Sequence, residues 1–168
     1  GVEVIGICFL HAYANPVNER EAAELIRAAY PDVYVTASHE VATEWREYER
    51  TSSTVLNGYI MPIVSRYFSE VETDLGGRAF DGNLAIMQSN GGVMPTDVCM
   101  RVPLRTLESG PAGGVVGARA LAEAIGEPNV ICADMGGTSF DVALVYDGEA
   151  IERFRTEVDR RPVLAPTV

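Results

Sequence analysis

The order of hydrophobic and polar positions at the start of the chain predicts a strand, a helix and a second strand. A near-continuous apolar run over 2–10 is typical of a strand that is buried on both faces. Asn18 is expected to cap a helix that Pro31 ends, and a second strand is expected over 33–36. Strands joined by one helix usually pair in parallel, so this order predicts an α/β fold with a parallel sheet.

A long helix is predicted next. Apolar residues three or four positions apart, from Leu56 to Val71, indicate a helix, which Pro62 is expected to kink and the glycine pair 76–77 to end. The charged run 40–50 that precedes it is interpreted as a solvated helix face, with an interface to a partner as the alternative.

The second half of the chain predicts short strands, a hairpin and one longer helix. The expected elements are a strand over 84–88, a hairpin turn at Asn90-Gly91, a short helical turn from Thr96, a helix capped by Ser109 and closed at Gly126, and a meander of strands over 130–135, 140–146 and 150–155. The segment 89–92 is interpreted as a turn, with a ligand contact as the alternative.

The turn inside this meander, within DMGGTSFDVALV, carries the strongest chemical signal. An acid ends the first strand, two glycines and two hydroxyl residues form the turn, and a second acid follows: Asp134, Gly136, Gly137, Thr138, Ser139 and Asp141. The glycines can take backbone angles that other residues avoid, and they let main-chain N–H groups approach an anion closely. The first acid can hold a metal directly or through water. Together they predict a site for nucleotide phosphate and Mg²⁺; a hairpin with polar tips is the alternative.

The absence of lysine and the negative net charge exclude or disfavour several kinds of ligand site. The chain has 168 residues and a net charge of −11, and none of its 13 basic residues is a lysine. A Walker-type phosphate loop requires a lysine and is therefore excluded. The negative charge argues against nucleic acid and against anionic membrane surfaces as partners.

The helix that begins near residue 109 has an N-terminal half almost free of bulky side chains. Gly113, Gly114 and Gly117 each weaken a helix by about 1 kcal/mol relative to alanine, so some interaction should offset them. Close packing against a strand is one explanation. A helix N-terminus that faces phosphates through Gly113 and Gly114 is the other.

The cysteines and histidines do not suggest a metal or catalytic site. The three cysteines are far apart, and Cys8 and Cys132 fall in apolar strand patterns, so they are interpreted as buried free thiols of a cytoplasmic protein. His11 and His39 are interpreted as packed or surface residues, because neither has a ligand spacing.

The motifs, taken in order, resemble those of the actin-like ATPase superfamily, which includes heat-shock chaperone ATPases and sugar kinases. More specifically, the chain resembles the large (A) subunit of the hydantoinase/oxoprolinase family, a subunit type shared with acetone and acetophenone carboxylases. The landmarks that carry this resemblance are CFLHAYANP, REYERTSSTVLNGYI, QSNGGVM, SGPAGGVVGA and DMGGTSFDV.

The resemblance implies a partial ribonuclease-H-like (actin-like ATPase) fold of the α/β class, with a mixed sheet flanked by helices. Residues 1–77 would be the later part of the first lobe, and residues 78–168 the connecting helix and the meander that opens the second lobe. The first phosphate loop and the adenosine motif of the superfamily are not found. The chain is therefore expected to be an internal piece that hydrolyses no ATP by itself.

The resemblance also implies an activity. The family's enzymes use ATP to act on a cyclic amide, such as hydantoin or 5-oxoproline, or on a ketone; the A subunit is thought to phosphorylate a carbonyl oxygen, and a separate B-type subunit to complete hydrolysis. The alternatives are a ketone carboxylase subunit, an actin-like small-molecule kinase and a non-catalytic ATP-switched module.

The resemblance assigns roles to residues of the turn and the helix. Asp134 would hold Mg²⁺ through water, and Asp141 is a further candidate ligand. The turn residues 136–139 would contact phosphate oxygens, although Thr138 stands where the chaperones have a third glycine. Glu108, before the connecting helix, is a candidate for orienting water or metal.

Overall fold

The computed structural model describes all 168 residues. The helices are α1 (Val17–Ala29), α2 (Ser38–Val41), α3 (Glu47–Gly77), α4 (Thr96–Arg101) and α5 (Ser109–Ile125), with a 3₁₀ turn at Pro103–Thr106. The strands are β1 (Val4–Ile7), β2 (Tyr34–Ala37), β3 (Ala85–Met87), β4 (Val93–Pro95), β5 (Val130–Met135), β6 (Phe140–Tyr146), β7 (Glu149–Ala150), β8 (Thr156–Val158) and β9 (Arg161–Val163). None of the helices combines the length and the apolar character needed to cross a membrane.

The first unit, β1–α1–β2, has the predicted parallel pairing, with Val4 opposite Tyr34 and Ile7 opposite Ala37. Its apolar core contains Ile7, Ala23, Val35 and Ala37. Strand β1 is shorter than predicted. The prediction that Asn18 caps α1 was wrong, because the helix already begins at Val17, and Asn15 Oδ1 accepts the Val17 N–H at 3.2 Å instead.

Helix α3 is confirmed and ends with Gly77, but its exposed and buried faces differ from the usual amphipathic arrangement. Three apolar residues of the predicted pattern, Tyr59, Ile63 and Tyr67, are exposed, and Leu56 and Val71 are half-buried. The buried face is mainly polar or small: Arg50, Ser53, Thr54, Asn57, Gly58, Met61, Pro62 and Ser65. The run 40–50 is therefore not one solvated helix face. It spans the end of α2 and the start of α3, and Arg50 within it is fully buried.

The polar face of α3 holds the molecule together because its groups bond to other elements. Asn57 Nδ2 donates to Thr36 Oγ1 and to the Arg101 carbonyl, both at 3.0 Å, and Asn57 Oδ1 accepts the Leu104 N–H at 3.1 Å. Gly58 allows α3 to lie against β1 and β2, since a Cβ there would be 3.1 Å from Thr36 Cγ2 and from Val4 Cγ1. These contacts fix the helix by its backbone and its amide groups.

The second half of the chain contains the predicted hairpin, helix and meander. Strands β3 and β4 pair in antiparallel fashion around a turn in which Gly91 has a φ of 82°, and α5 ends at Gly126 with a φ of 76°. Strands β5, β6 and β7 form a second antiparallel sheet. The prediction that its third strand runs over 150–155 was wrong: β7 contains only two residues, and the chain then forms the separate hairpin β8–β9. The mixed α/β character is confirmed, with the strands divided among four small sheets.

Candidate functional site

The hairpin of β5 and β6 brings two predicted acids side by side. The antiparallel register runs from Val130 opposite Val145 to Met135 opposite Phe140, which places Asp134 directly opposite Asp141. Residues opposite each other in such a pair lie on the same face, with Cβ atoms about 5 Å apart. Two like charges in this arrangement repel each other, so a cation bound beside them would stabilise the hairpin.

The turn between these strands is closed by the main chain. The Gly136 N–H donates to the Ser139 carbonyl at 3.1 Å, and Ser139 Oγ donates to Asp141 Oδ2 at 3.3 Å. Neither Gly136 nor Gly137 has a positive φ, so this turn does not use the left-handed angles that glycine permits. The turn is instead open: a Cβ on Gly137 would have no atom within 4 Å. Glycine at this position therefore leaves the main chain of the turn accessible to a ligand.

Helix α5 begins at Ser109, with Glu108 immediately before it. The prediction that Ser109 caps the helix was wrong, since Glu108 occupies the capping position and no side chain caps the helix. The Glu108 N–H donates to Ser89 Oγ at 3.1 Å, and this buried hydroxyl donates to the Arg105 carbonyl at 2.9 Å. The segment that contains Ser89, interpreted from the sequence as a turn, thus holds the start of α5 in position.

A cleft of about 1130 Å³ lies between α5, the β5–β6 hairpin and the segment that contains β8 and β9. Three of its lining residues are predicted acids, namely Glu108, Asp134 and Asp141. Gly114 lines the same cleft, so the helix and the hairpin meet across it. The volume is on the scale of small-molecule and cofactor sites, about 300–1000 Å³.

The remaining predicted site residues lie near this cleft without lining it. Thr138, Ser139 and the two turn glycines are exposed at the tip of the hairpin. A Cβ on Gly113 would make an ordinary contact, 3.9 Å from Met87 Cε, whereas Cβ atoms on Gly114 and Gly117 would meet no atom within 4 Å. Close packing therefore does not account for the small residues at Gly114 and Gly117.

The cleft also contains two cationic residues that sequence reasoning missed. Arg153 and Arg155 line it, and Arg155 Nη2 donates to Glu49 Oε1 at 2.7 Å. Arg153 is fixed through its main chain, which bonds to Thr167 in both directions at 2.7 and 2.8 Å. No sequence signal pointed to them, because the strand predicted over 150–155 does not form. They give a chain without lysine two guanidinium groups at an acidic cleft.

The side chains of the cleft match the way in which Mg²⁺ is usually bound. No three His, Cys, Asp or Glu residues of the chain are grouped closely enough to enclose a metal ion by themselves. Mg²⁺ does not need such a cage, because it commonly takes one or two carboxylates together with water and substrate phosphates. The facing pair Asp134 and Asp141 offers that donor set, whereas a site for Zn²⁺ would need about four protein or water ligands with nitrogen or sulfur among them.

A buried polar cluster at the end of β1 and β2 was not foreseen. Glu19 is fully buried, and its carboxylate accepts bonds from Phe9 N–H at 2.8 Å, Ser38 Oγ at 2.7 Å and His39 N–H at 2.8 Å, and approaches His39 Nδ1 at 2.6 Å. Burial by itself raises the pKa of Glu19, but these hydrogen bonds outweigh it, so the pKa lies below its ordinary value. His39 is thus a packed residue, as expected.

All three cysteines are free thiols, as predicted. Cys8 and Cys132 are only half-buried, however, and Cys99 is the fully buried one. Burial raises the pKa of the Cys99 thiol to about 11. Cys99 therefore stays protonated at neutral pH and is a packing residue.

The fold and the cleft define a class of protein: a mixed α/β protein of the actin-like ATPase type, with an acidic hairpin facing a small-residue helix. The chain belongs to the hydantoinase/oxoprolinase family, since the family model described as Hydantoinase/oxoprolinase matches residues 50–168.

Individual relatives agree with this assignment. The chain is 38% identical to caprolactamase subunit alpha of Pseudomonas jessenii over 88% of its length, and 33% identical to 5-oxoprolinase of Saccharomyces cerevisiae over 93%. The nucleotide-free structure of acetone carboxylase, from work on ATP-dependent acetone carboxylation, superposes with a TM-score of 0.81 at 33% identity over 98% of the chain. The chain spans 21%, 12% and 24% of the lengths of these three proteins.

Proposed function

We propose that the cleft between α5 and the β5–β6 hairpin binds the phosphates of ATP with Mg²⁺, as part of an enzyme that opens a cyclic amide by phosphorylating its carbonyl oxygen. The observation that carries the proposal is the meeting of Glu108, Asp134 and Asp141 in one cleft beside the first turns of α5. Relatives named caprolactamase and 5-oxoprolinase support a cyclic amide as the substrate.

Each wall of the cleft has a role in this proposal. The N-terminus of α5 carries the positive end of the helix dipole, and the absence of side chains at Gly113 and Gly114 lets a phosphate approach it. The main-chain N–H groups of 137–139 and the hydroxyl of Thr138 provide donors at the hairpin tip, just outside the cleft, whereas the Gly136 N–H and the Ser139 hydroxyl already donate within the turn. Arg153 and Arg155 add positive charge from the third side.

The acids would hold the cation that accompanies the nucleotide. Asp134 and Asp141 are the residues that would hold Mg²⁺, in part through water, and Glu108 would orient a water molecule or the hydrated ion from the helix side. Bound there, Mg²⁺ supplies neutralisation of phosphate charge, which phosphoryl transfer requires along with positioning. Glu108 is held by the bond from its own N–H to Ser89.

A ketone carboxylase subunit is the second candidate, because the structural match is to acetone carboxylase. Both candidates begin by activating a carbonyl oxygen and would use the same cleft. A second, B-type subunit would complete the reaction, in keeping with relatives that are themselves named as subunits. We propose a cytoplasmic location, since the three thiols of this chain are free.

The test is substrate-dependent ATP hydrolysis by the full-length protein together with its neighbouring subunit. Hydantoin, 5-oxoproline, caprolactam and acetone are compared, and the products are identified by mass spectrometry. A ring-opened acid formed with ADP and phosphate supports the proposal, and a carboxylated ketone supports the second candidate. A stable phosphate ester, or nucleotide-dependent partner binding without turnover, would replace both with a kinase or a switch module.

A further inference from the structure

The carboxyl ends of β1 and β2 meet at one edge of the molecule, where α3 begins. Arg50 bonds to Phe9 there, and the neighbouring Glu49 bonds to Arg155 of the cleft. Parallel pairing of these strands places the turn 8–15 beside the start of α2. Ligands of open α/β sheets commonly bind outside the carboxyl ends of the strands. The buried charged residues at this edge are Glu19 and Arg50.

These two buried side chains differ in how many of their polar atoms have hydrogen-bond partners. Glu19 has partners for both carboxylate oxygens, as described above. Arg50, with no exposed surface, donates from Nη2 to the Phe9 carbonyl at 2.7 Å, while its Nε and Nη1 are buried without any hydrogen-bond partner. Tyr13 covers the guanidinium, with its ring centre 5.6 Å from Cζ, and Arg50 takes part in no ion pair.

An arginine in this state is uncommon, because buried charges are normally paired and buried donors are normally bonded. The Tyr13 ring stabilises part of the charge through a cation–π contact. It does not serve as a hydrogen-bond acceptor for Nε or Nη1 of Arg50. A buried guanidinium interacts more strongly with an anionic oxygen than with a neutral carbonyl oxygen. An anionic oxygen group would satisfy both the charge and the free N–H donors of Arg50.

We propose that Arg50 binds the carboxylate of a small-molecule ligand at the carboxyl edge of β1 and β2. The tip of the turn that covers the guanidinium, where Leu10 and His11 are exposed, would have to move to admit it, because Phe9 is held by its bonds to Glu19 and Arg50. If the proposed function is correct, this site distinguishes substrates: 5-oxoproline carries a carboxylate next to its lactam ring, and caprolactam carries none.

The test measures binding to the full-length protein in the absence of ATP, so it does not depend on turnover. The probes form matched pairs: 5-oxoproline against 2-pyrrolidone, which is the same ring without the carboxylate, and acetate against acetamide. We expect saturable thermal stabilisation by the two carboxylates alone, and slower backbone hydrogen exchange in the turn 8–15 when they bind. Equal stabilisation by the neutral partners, or protection only elsewhere in the chain, would overturn the inference.

Variants give a second readout. Arg50→Lys keeps the charge but removes the guanidinium donors, and we expect its affinity for 5-oxoproline to fall about tenfold or more. Arg66→Lys is the control, since Arg66 is exposed on the same helix. Unchanged affinity in a folded Arg50→Lys protein would contradict the proposal. If Arg50→Lys does not fold, the paired probes and the exchange measurement on the wild-type protein decide the question.

Discussion

Replacing Glu19 with glutamine tests the buried polar cluster, because the change preserves size while removing charge. Glu19 Oε1 accepts from Phe9 N–H and Ser38 Oγ, and Oε2 accepts from His39 N–H and faces His39 Nδ1. In Glu19→Gln an NH₂ group replaces one of these oxygens and faces groups that are themselves donors. The least costly arrangement places the NH₂ at the position of Oε2, where it donates to His39 Nδ1 and leaves the His39 N–H without a partner. The bonds from Phe9 N–H and Ser38 Oγ then go to a neutral oxygen instead of a charged one. We expect the free energy of unfolding to fall by about 3 kcal/mol.

The pH dependence of stability provides an independent check. The pKa of Glu19 in the folded state lies below its ordinary value of 4.5, so its contribution is fully present above that pH and is lost as the pH falls through the folded-state pKa. Urea unfolding followed by circular dichroism should show the largest difference between wild type and Glu19→Gln near neutral pH, with the difference shrinking in acid. Glu24→Gln, exposed on the same helix, is the control. A loss below about 0.5 kcal/mol, within the usual range for surface substitutions, would show that the Glu19 carboxylate does not stabilise this cluster.

Two further predictions concern packing. Gly58→Val should lower the free energy of unfolding in urea by about 2 kcal/mol, because α3 contacts β1 and β2 closely at this position. Gly76→Ala should raise the free energy of unfolding by about 0.5 kcal/mol, because a Cβ there meets open space. Equal effects of the two substitutions would contradict the close approach at Gly58. Iodoacetamide at about pH 8 should alkylate Cys8 and Cys132 before Cys99, whose pKa is about 11, and mass mapping that finds Cys99 modified first would show its burial to be wrong.

Helices and strands were predictable from the sequence where glycine, proline or polar residues mark their ends. Glycines with left-handed angles end α5 at Gly126 and form the turn at Gly91, and prolines and polar residues separate the strands. The strand bounds 130–135 and 140–146 match the observed β5 and β6 for this reason. Asp134 and Asp141 could also be assigned to one hairpin, because the turn length sets the register.

Long-range features were not predictable in the same way. The periodicity of α3 shows that Tyr59, Ile63 and Tyr67 share a face, but it does not show that this face is exposed while polar groups on the other face bond to β2 and the 3₁₀ turn. The environment of Arg50 depends on a contact with Phe9, 41 positions away in the chain. Arg153 and Arg155 reach the cleft only because the last segment folds back against it.

Calorimetry of ATP binding to the full-length protein, with and without Mg²⁺, shows most directly whether this cleft holds the nucleotide phosphates. We expect Mg²⁺ to strengthen binding and Asp134→Asn to weaken Mg²⁺-dependent binding by about tenfold or more. Asp147→Asn is the matched control, because Asp147 lies just beyond the opposite end of β6 and does not line the cleft. Equal ATP affinity in wild type, Asp134→Asn and Asp147→Asn would contradict the claim that this cleft holds the nucleotide phosphates.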